Sequence, residues 1–104
     1  MQRIFLEEIE FIEAINRGTA FTLASSEVVQ TARPFHEFEQ ELEKEPDFFK
    51  CHRSYIINMM HIDTYARTEI KTLSGVRIPI SRNSSSAFEE VYFTRMFGKA
   101  EDGL

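Results

Sequence analysis

The sequence predicts a mostly β domain of the α+β class, on three observations. Short apolar runs separated by polar turn residues fill residues 4–31 and 48–81. Between these blocks, "RPFHEFEQELEKEPDF" switches to helical spacing, and a second helical pattern, "SRNSSSAFEEVYFTRMFG", follows them. Both periods occur, and the strand-like runs outnumber the helical ones.

In "RIFLEEIEFIEA", Ile4 and Leu6 and then Ile9, Phe11 and Ile12 form short apolar groups. "TAFTLASSEVVQTA" alternates around Phe21, Leu23, Val28 and Val29 and breaks at Ser25 and Ser26. Strands joined by tight turns fit both stretches. The intervening "INRGTA" contains Asn16 and Gly18, residue types that accept positive φ, which predicts a hairpin. Next comes an amphipathic helix with an acidic outer face. Phe35, Phe38 and Leu42 mark its inner side, Pro34 suits its first turn and Pro46 stops it.

"FFKC", "SYIIN", "HIDTYA", "EIKTL" and "RIPIS" then read as five short strands, with Gly75 in one of the turns. The closing helix has a serine-rich start and a capping box in Ser86 and Glu89. Phe88, Val91, Tyr92 and Met96 sit at helical spacing, and Gly98 serves as a stop. One domain over residues 4–97 is expected, with residues 98–104 as a flexible tail.

With 104 residues, 42% of them apolar, the chain can bury one modest core but not a multi-layer enzyme. No apolar run is long enough to span a bilayer, and "MQRIFLEEIE" lacks the layout of a signal peptide, so a cytoplasmic protein without membrane contact is expected. The single cysteine, Cys51, excludes an internal disulfide, and three scattered histidines offer no metal-ligand spacing. Cys51 beside His52 suggests a nucleophile and base. Neighbouring strand residues point to opposite faces, however, and no third group orients the base, so the thiol is read as buried and structural. No catalytic constellation emerges and no cofactor is implied; the carboxylates of "EFEQELEKE" read as a solvated helix face.

A net charge of −5 argues against nucleic acid, because Lys and Arg neutralising phosphates supply most non-specific affinity. The distribution qualifies that. Residues 1–47 hold eleven acids and four bases, whereas residues 50–82 hold six bases and two acids, a local charge of +4. A fold can turn the first segment to solvent and the second to a polyanion.

Within that segment, "FFKCHRSYIINMMHI" sets Lys50, His52, Arg53 and Ser54 between apolar anchors, as the tip of a turn would be. "FFKCHRSYIIN", followed about twenty residues later by "SGVRIPISRN" and preceded by "LEEIEFIEA" and "FHEFEQELEKEPDF", resembles the LytTR family, the DNA-binding output domains of LytR/AgrA-type response regulators. The resemblance covers residues 4–96. It implies an elongated stack of short antiparallel sheets with small flanking helices, which reads successive major grooves with loops. It further implies double-stranded DNA with repeated half-sites, a homodimer on that DNA, and a receiver domain upstream in the native protein.

Three loops occupy the matching positions, and they give the candidate DNA-binding residues. The first hairpin offers Asn16, Arg17 and Thr19 where relatives present a base-contacting histidine. The "HRS" turn offers Arg53, flanked by His52, Lys50 and Ser54. The "SRN" junction offers Arg82 and Asn83. Arg53 and Arg82 are the expected guanine readers, since one guanidinium can bond O6 and N7 together. Lys50, Ser54 and Asn83 are expected on the phosphate backbone. His52 has two readings, a donor to DNA or a ring packed under the turn. The serines after Asn83 read as helix caps or, through free amides, a phosphate cradle.

The resemblance implies a further strand before the position of Ile4, where only Met1, Gln2 and Arg3 stand, so a domain lacking that first strand is expected. Arg77 stands near the place where some relatives carry a second cysteine able to pair with the Cys51 position, which removes a redox switch of that kind. The rival reading is an acidic, β-rich protein-interaction module without nucleic acid. What separates the two is whether the basic groups of residues 50–82 share one surface.

Overall fold

The computed structural model describes residues 3–102. In chain order these form β1 (Ile9–Ile15), β2 (Gly18–Leu23), β3 (Val28–Thr31), α1 (Phe35–Leu42), β4 (Phe48–His52) and β5 (Tyr55–Asn58). They continue as β6 (Ile62–Tyr65), β7 (Glu69–Thr72), β8 (Arg77–Pro79) and α2 (Ser85–Asp102). Single 3-10 turns lie at Leu6–Glu8, Met59–His61 and Arg82–Ser84. The mostly antiparallel β architecture expected from the sequence is the one found, and the body is elongated, 46 × 29 × 26 Å.

Two antiparallel sheets share the work. The larger runs β3-β2-β1-β5-β4 and the smaller β6-β7-β8. The side-chain period of two explains how the larger sheet serves two cores at once. On β1, Ile12 joins Phe21, Ile56 and Leu42 on the face covered by α1, while its neighbour Phe11 points the other way. On β5, Ile56 and Ile57 divide in the same manner. The second core, Phe11, Cys51, Ile57, Ile70, Ile78, Ile80 and Phe88, is closed by the smaller sheet and α2. Phe88 sits at its centre, its ring 5.6 Å from Phe49, 5.2 Å from Tyr65 and 5.6 Å from Tyr92.

A bulge between Ile9 and Phe11 inserts Glu10 into the strand and leaves it 1% exposed. Its carboxylate accepts from both the hydroxyl and the backbone N–H of Ser74, in the β7–β8 turn. That satisfied acid ties the two sheets together at one end.

Three stretches differ from the sequence expectation, the first being Leu6–Glu8, read with the strands but folded as a 3-10 turn before β1. The helical run before α2 begins at Arg82, with Ser81 preceding it, so Ser86 lies within the helix and forms no capping box with Glu89. The 3-10 turn at Arg82–Ser84, closed by the Ser84 N–H to the Ser81 carbonyl at 2.9 Å, provides the start instead. At the other end α2 continues through Gly98 to Asp102, where a stop and a tail were expected. Glycine inside a helix costs only about 1 kcal/mol relative to alanine, too little to end a helix already propagating.

Candidate nucleic-acid interface

Three backbone links bring three loops to one end of the larger sheet. β1 and β2 meet in a turn at Asn16 and Arg17, with Arg17 at φ 67°. Gly18 follows at φ 152°, and a Cβ there would lie 2.0 Å from the Thr31 carbonyl oxygen, so β3 leaves room only for glycine. β5 pairs antiparallel with β1, placing Tyr55 opposite Glu13, and the Ala14 N–H donates to the Ser54 carbonyl at 2.9 Å. The Arg53–Ser54 turn therefore stands beside the Asn16–Arg17 turn, about one strand spacing (~4.8 Å) away at the base. The Ser81 N–H donates to the Cys51 carbonyl at 2.8 Å, which brings Arg82 and Asn83 alongside the end of β4.

The Arg53 turn is locked from inside. A bulge between Lys50 and His52 sets the His52 ring in edge contact with Tyr55, the two centroids 5.7 Å apart and the planes at 70°. The imidazole Nδ1 accepts the Ser54 N–H at 3.1 Å. A nitrogen that accepts carries no proton, so Nε2–H is the donor His52 has left. The ring packed under the turn is the reading of His52 that the structure supports, and the ring keeps one donor.

Cys51, the extra residue of this bulge, is fully buried, and its thiol donates to the Tyr55 carbonyl at 3.9 Å. Burial pushes the thiol up from 9.0 to about 12. A structural cysteine is what the sequence implied. Because the unfolded chain loses this proton near pH 9 and the folded chain keeps it, stability should fall as pH rises from 9.0 toward about 12, by up to about 1.4 kcal/mol per pH unit. Tyr55 and Tyr92, both raised chiefly by burial from 10.0, add a fall of the same sign as pH approaches 10 and beyond. The difference between wild type and Cys51→Ala in urea unfolding between pH 9 and 10 isolates the thiol: the variant should have the shallower slope, and an unchanged slope would contradict the assignment.

Charge pairing sorts the cations. Arg33 is paired with Glu37, Lys50 with Glu39, Lys71 with Asp63, Arg77 with Glu69 and Arg95 with Asp47. Among the described residues, Arg17, Arg53, Arg67 and Arg82 are exposed, form no ion pair and lie on turns at the same end, while Arg3, before β1, and Lys44, after α1, are also exposed and unpaired but stand apart from them. An arginine free of carboxylates can offer its planar fork to phosphates or base edges. The acidic surplus lies elsewhere, much of it on α1 and its flanks.

Two predicted site residues do not join this set. Thr19 is fully buried, and its hydroxyl donates to the Arg33 carbonyl at 2.9 Å, fastening the hairpin to the segment before α1. Lys50 projects on the α1 side of the sheet, with Nζ 2.8 Å from the Glu39 carboxylate, so its charge is already compensated. Arg67 was singled out only as one charge of the basic segment, yet it shares a cleft of about 490 Å³ with Arg82, lined also by Thr68, Ile80, Ser85 and Ser86.

The comparison with known families bears on this end of the molecule. The family model of the LytTr DNA-binding domain matches residues 1–92. The chain belongs to the LytTR family of DNA-binding domains. All three loops of this LytTR domain fall within the matched range. A solved structure agrees: the LytTr DNA-binding domain of a protein described as a methyl-accepting/DNA response regulator, from Bacillus cereus. It is 26% identical with a TM-score of 0.69, covering 81% of this chain and 80% of that one. No curated protein sequence matches the chain. Among the described residues, no helix of this LytTR domain is long and apolar enough to cross a membrane.

Proposed function

We propose that this domain binds double-stranded DNA in a sequence-specific way, as the output module of a cytoplasmic transcriptional response regulator, reading major grooves with its three loops. The observation that carries this reading is the gathering of four exposed arginines without ion pairs, Arg17, Arg53, Arg67 and Arg82, at one end of a chain whose net charge is −5. Five other described cations pair with carboxylates, so this end holds four of the six described Lys and Arg side chains that no carboxylate pairs, and a polyanion meets a concentrated positive charge there.

Arg53 and Arg82 take guanine edges, each with two hydrogen bonds. Asn16 and Arg17 present a different edge from the first hairpin. His52 offers Nε2–H, and Ser54 and Asn83 hold the phosphate backbone. Two copies bind repeated half-sites as a homodimer on DNA, and a receiver domain upstream controls them. The gathering of Arg17, Arg53, Arg67 and Arg82 at one end supports this reading over the protein-interaction alternative.

Selection from a random pool of duplexes at about 50 and 150 mM salt tests the proposal. A short repeated motif should be enriched. Its log affinity should fall against log salt with a slope of roughly −4 to −5, as about four to six neutralised phosphates require. Recovery of no motif, or an affinity indifferent to salt, would count against it.

A further inference from the structure

The cleft between the β6–β7 turn and the start of α2 has no part in the three-loop scheme, and its construction is specific. Ala66 and Glu69 close a tight turn through the Ala66 N–H to the Glu69 carbonyl at 2.8 Å, leaving Arg67 and Thr68 at its tip. Two further bonds clamp that turn to the segment bearing Arg82. The Ile80 N–H donates to the Thr68 carbonyl at 2.9 Å, and the Ser85 hydroxyl donates to the Arg67 carbonyl at 3.0 Å.

The next acid along the chain, two residues on, is Glu69. Arg77 across the β7–β8 pair already occupies its carboxylate. Arg67 is therefore exposed, backbone-fixed relative to Arg82, and protected from capture by its own neighbour. Two unpaired guanidiniums facing one cleft repel each other in the free protein, and that arrangement is relieved by an anion between them.

We propose that Arg67 is a fourth DNA contact, one that holds a backbone phosphodiester in this cleft beside the base contacted by Arg82. This rests on the DNA-binding reading above and extends it from three loops to four. A phosphate contact positions the duplex without reading sequence. The Ser85 bond makes Ser85 a positioning residue for it.

The test compares salt titrations of wild type, Arg67→Ala, Arg67→Lys, Ser85→Ala and Lys50→Ala, each on the selected site and on a random duplex of equal length. Arg67→Ala should weaken binding to both duplexes by a similar factor and make the log–log salt slope shallower by about 1. Arg67→Lys should retain the wild-type slope, Ser85→Ala should reproduce part of the Arg67→Ala loss, and Lys50→Ala should leave the slope unchanged. Arg67→Ala with the wild-type slope would overturn the assignment while leaving the three-loop reading intact. So would a loss confined to the selected site, which would make Arg67 a base reader.

Wild type binding neither duplex in a salt-dependent way would instead sink the DNA reading and this contact together. A control with inorganic phosphate against chloride at matched ionic strength separates a duplex contact from a free-anion site. Saturable amide shifts of Arg67 in phosphate, beside an unchanged DNA slope, would assign the cleft to a small anion and overturn the proposal.

Discussion

Arg82→Ala is expected to lower affinity for the selected site by roughly 5- to 150-fold, the equivalent of the about 1 to 3 kcal/mol that a bidentate arginine–guanine pair supplies in discrimination. Arg53→Ala should behave alike. On random duplexes each variant should lose only the few-fold expected from one missing charge. The two effects separate because phosphate contact is indifferent to sequence while a base edge is not. Lysine at either position keeps the charge and loses the fork, so Arg82→Lys should recover random-duplex affinity but not discrimination. Fluorescence anisotropy on both duplexes reads all of these. Wild-type affinity in both alanine variants would remove the loops from the interface, whatever the fold.

The second large effect concerns the scaffold. Phe88 is 1% exposed and meets Phe49, Tyr65 and Tyr92, so it joins α2 to both sheets through one ring. Phe88→Ala should cost about 3–5 kcal/mol, since the cavity it leaves adds to the lost transfer energy. In a domain of this size each kcal/mol moves Tm by about 4–8 °C, so a drop on the order of 12 °C or more is expected, and much of the total stability would be gone. Phe93, one turn further on but 54% exposed, provides the comparison: Phe93→Ala should stay within about 0.5 kcal/mol of wild type. Equal losses from the two variants in urea unfolding would contradict the placement of the core. Because α2 follows directly from the Arg82 turn, DNA affinity in Phe88→Ala should fall in parallel with the folded fraction.

The strands were legible in the sequence because each is a short run whose period of two is set locally, from "EIEFIEA" to "RIPIS". The hairpin at Asn16 to Gly18 was legible for the same reason, although positive φ falls on Gly18 as expected and on Arg17, not on Asn16. What could not be read depends on partners far along the chain. Glu10 looks like one more surface acid until Ser74, 64 positions away, is seen to satisfy it. Lys50 looks like a phosphate anchor until α1 places Glu39 beside it. Thr19 looks exposed on a hairpin until the Arg33 carbonyl claims its hydroxyl. The helix limits failed for another reason: serine and glycine mark ends only when the backbone there leaves the helical region, and at Ser86 and Gly98 it does not. Arg67 was within reach, since it lay in the +4 segment, but nothing local distinguishes it from Lys71 or Arg77, which acids neutralise.

Amide chemical-shift mapping of the isotope-labelled domain with a duplex carrying the selected site tests the central claim most directly. The unpaired arginines at one end predict shifts at Asn16 and Arg17, Arg53 and Ser54, Arg67, and Arg82 and Asn83, with the outer face of α1 and the Leu73–Gly75 turn undisturbed. Shifts gathered instead on α1 or around the exposed Phe93 and Phe97, with the loop tips silent, would contradict it.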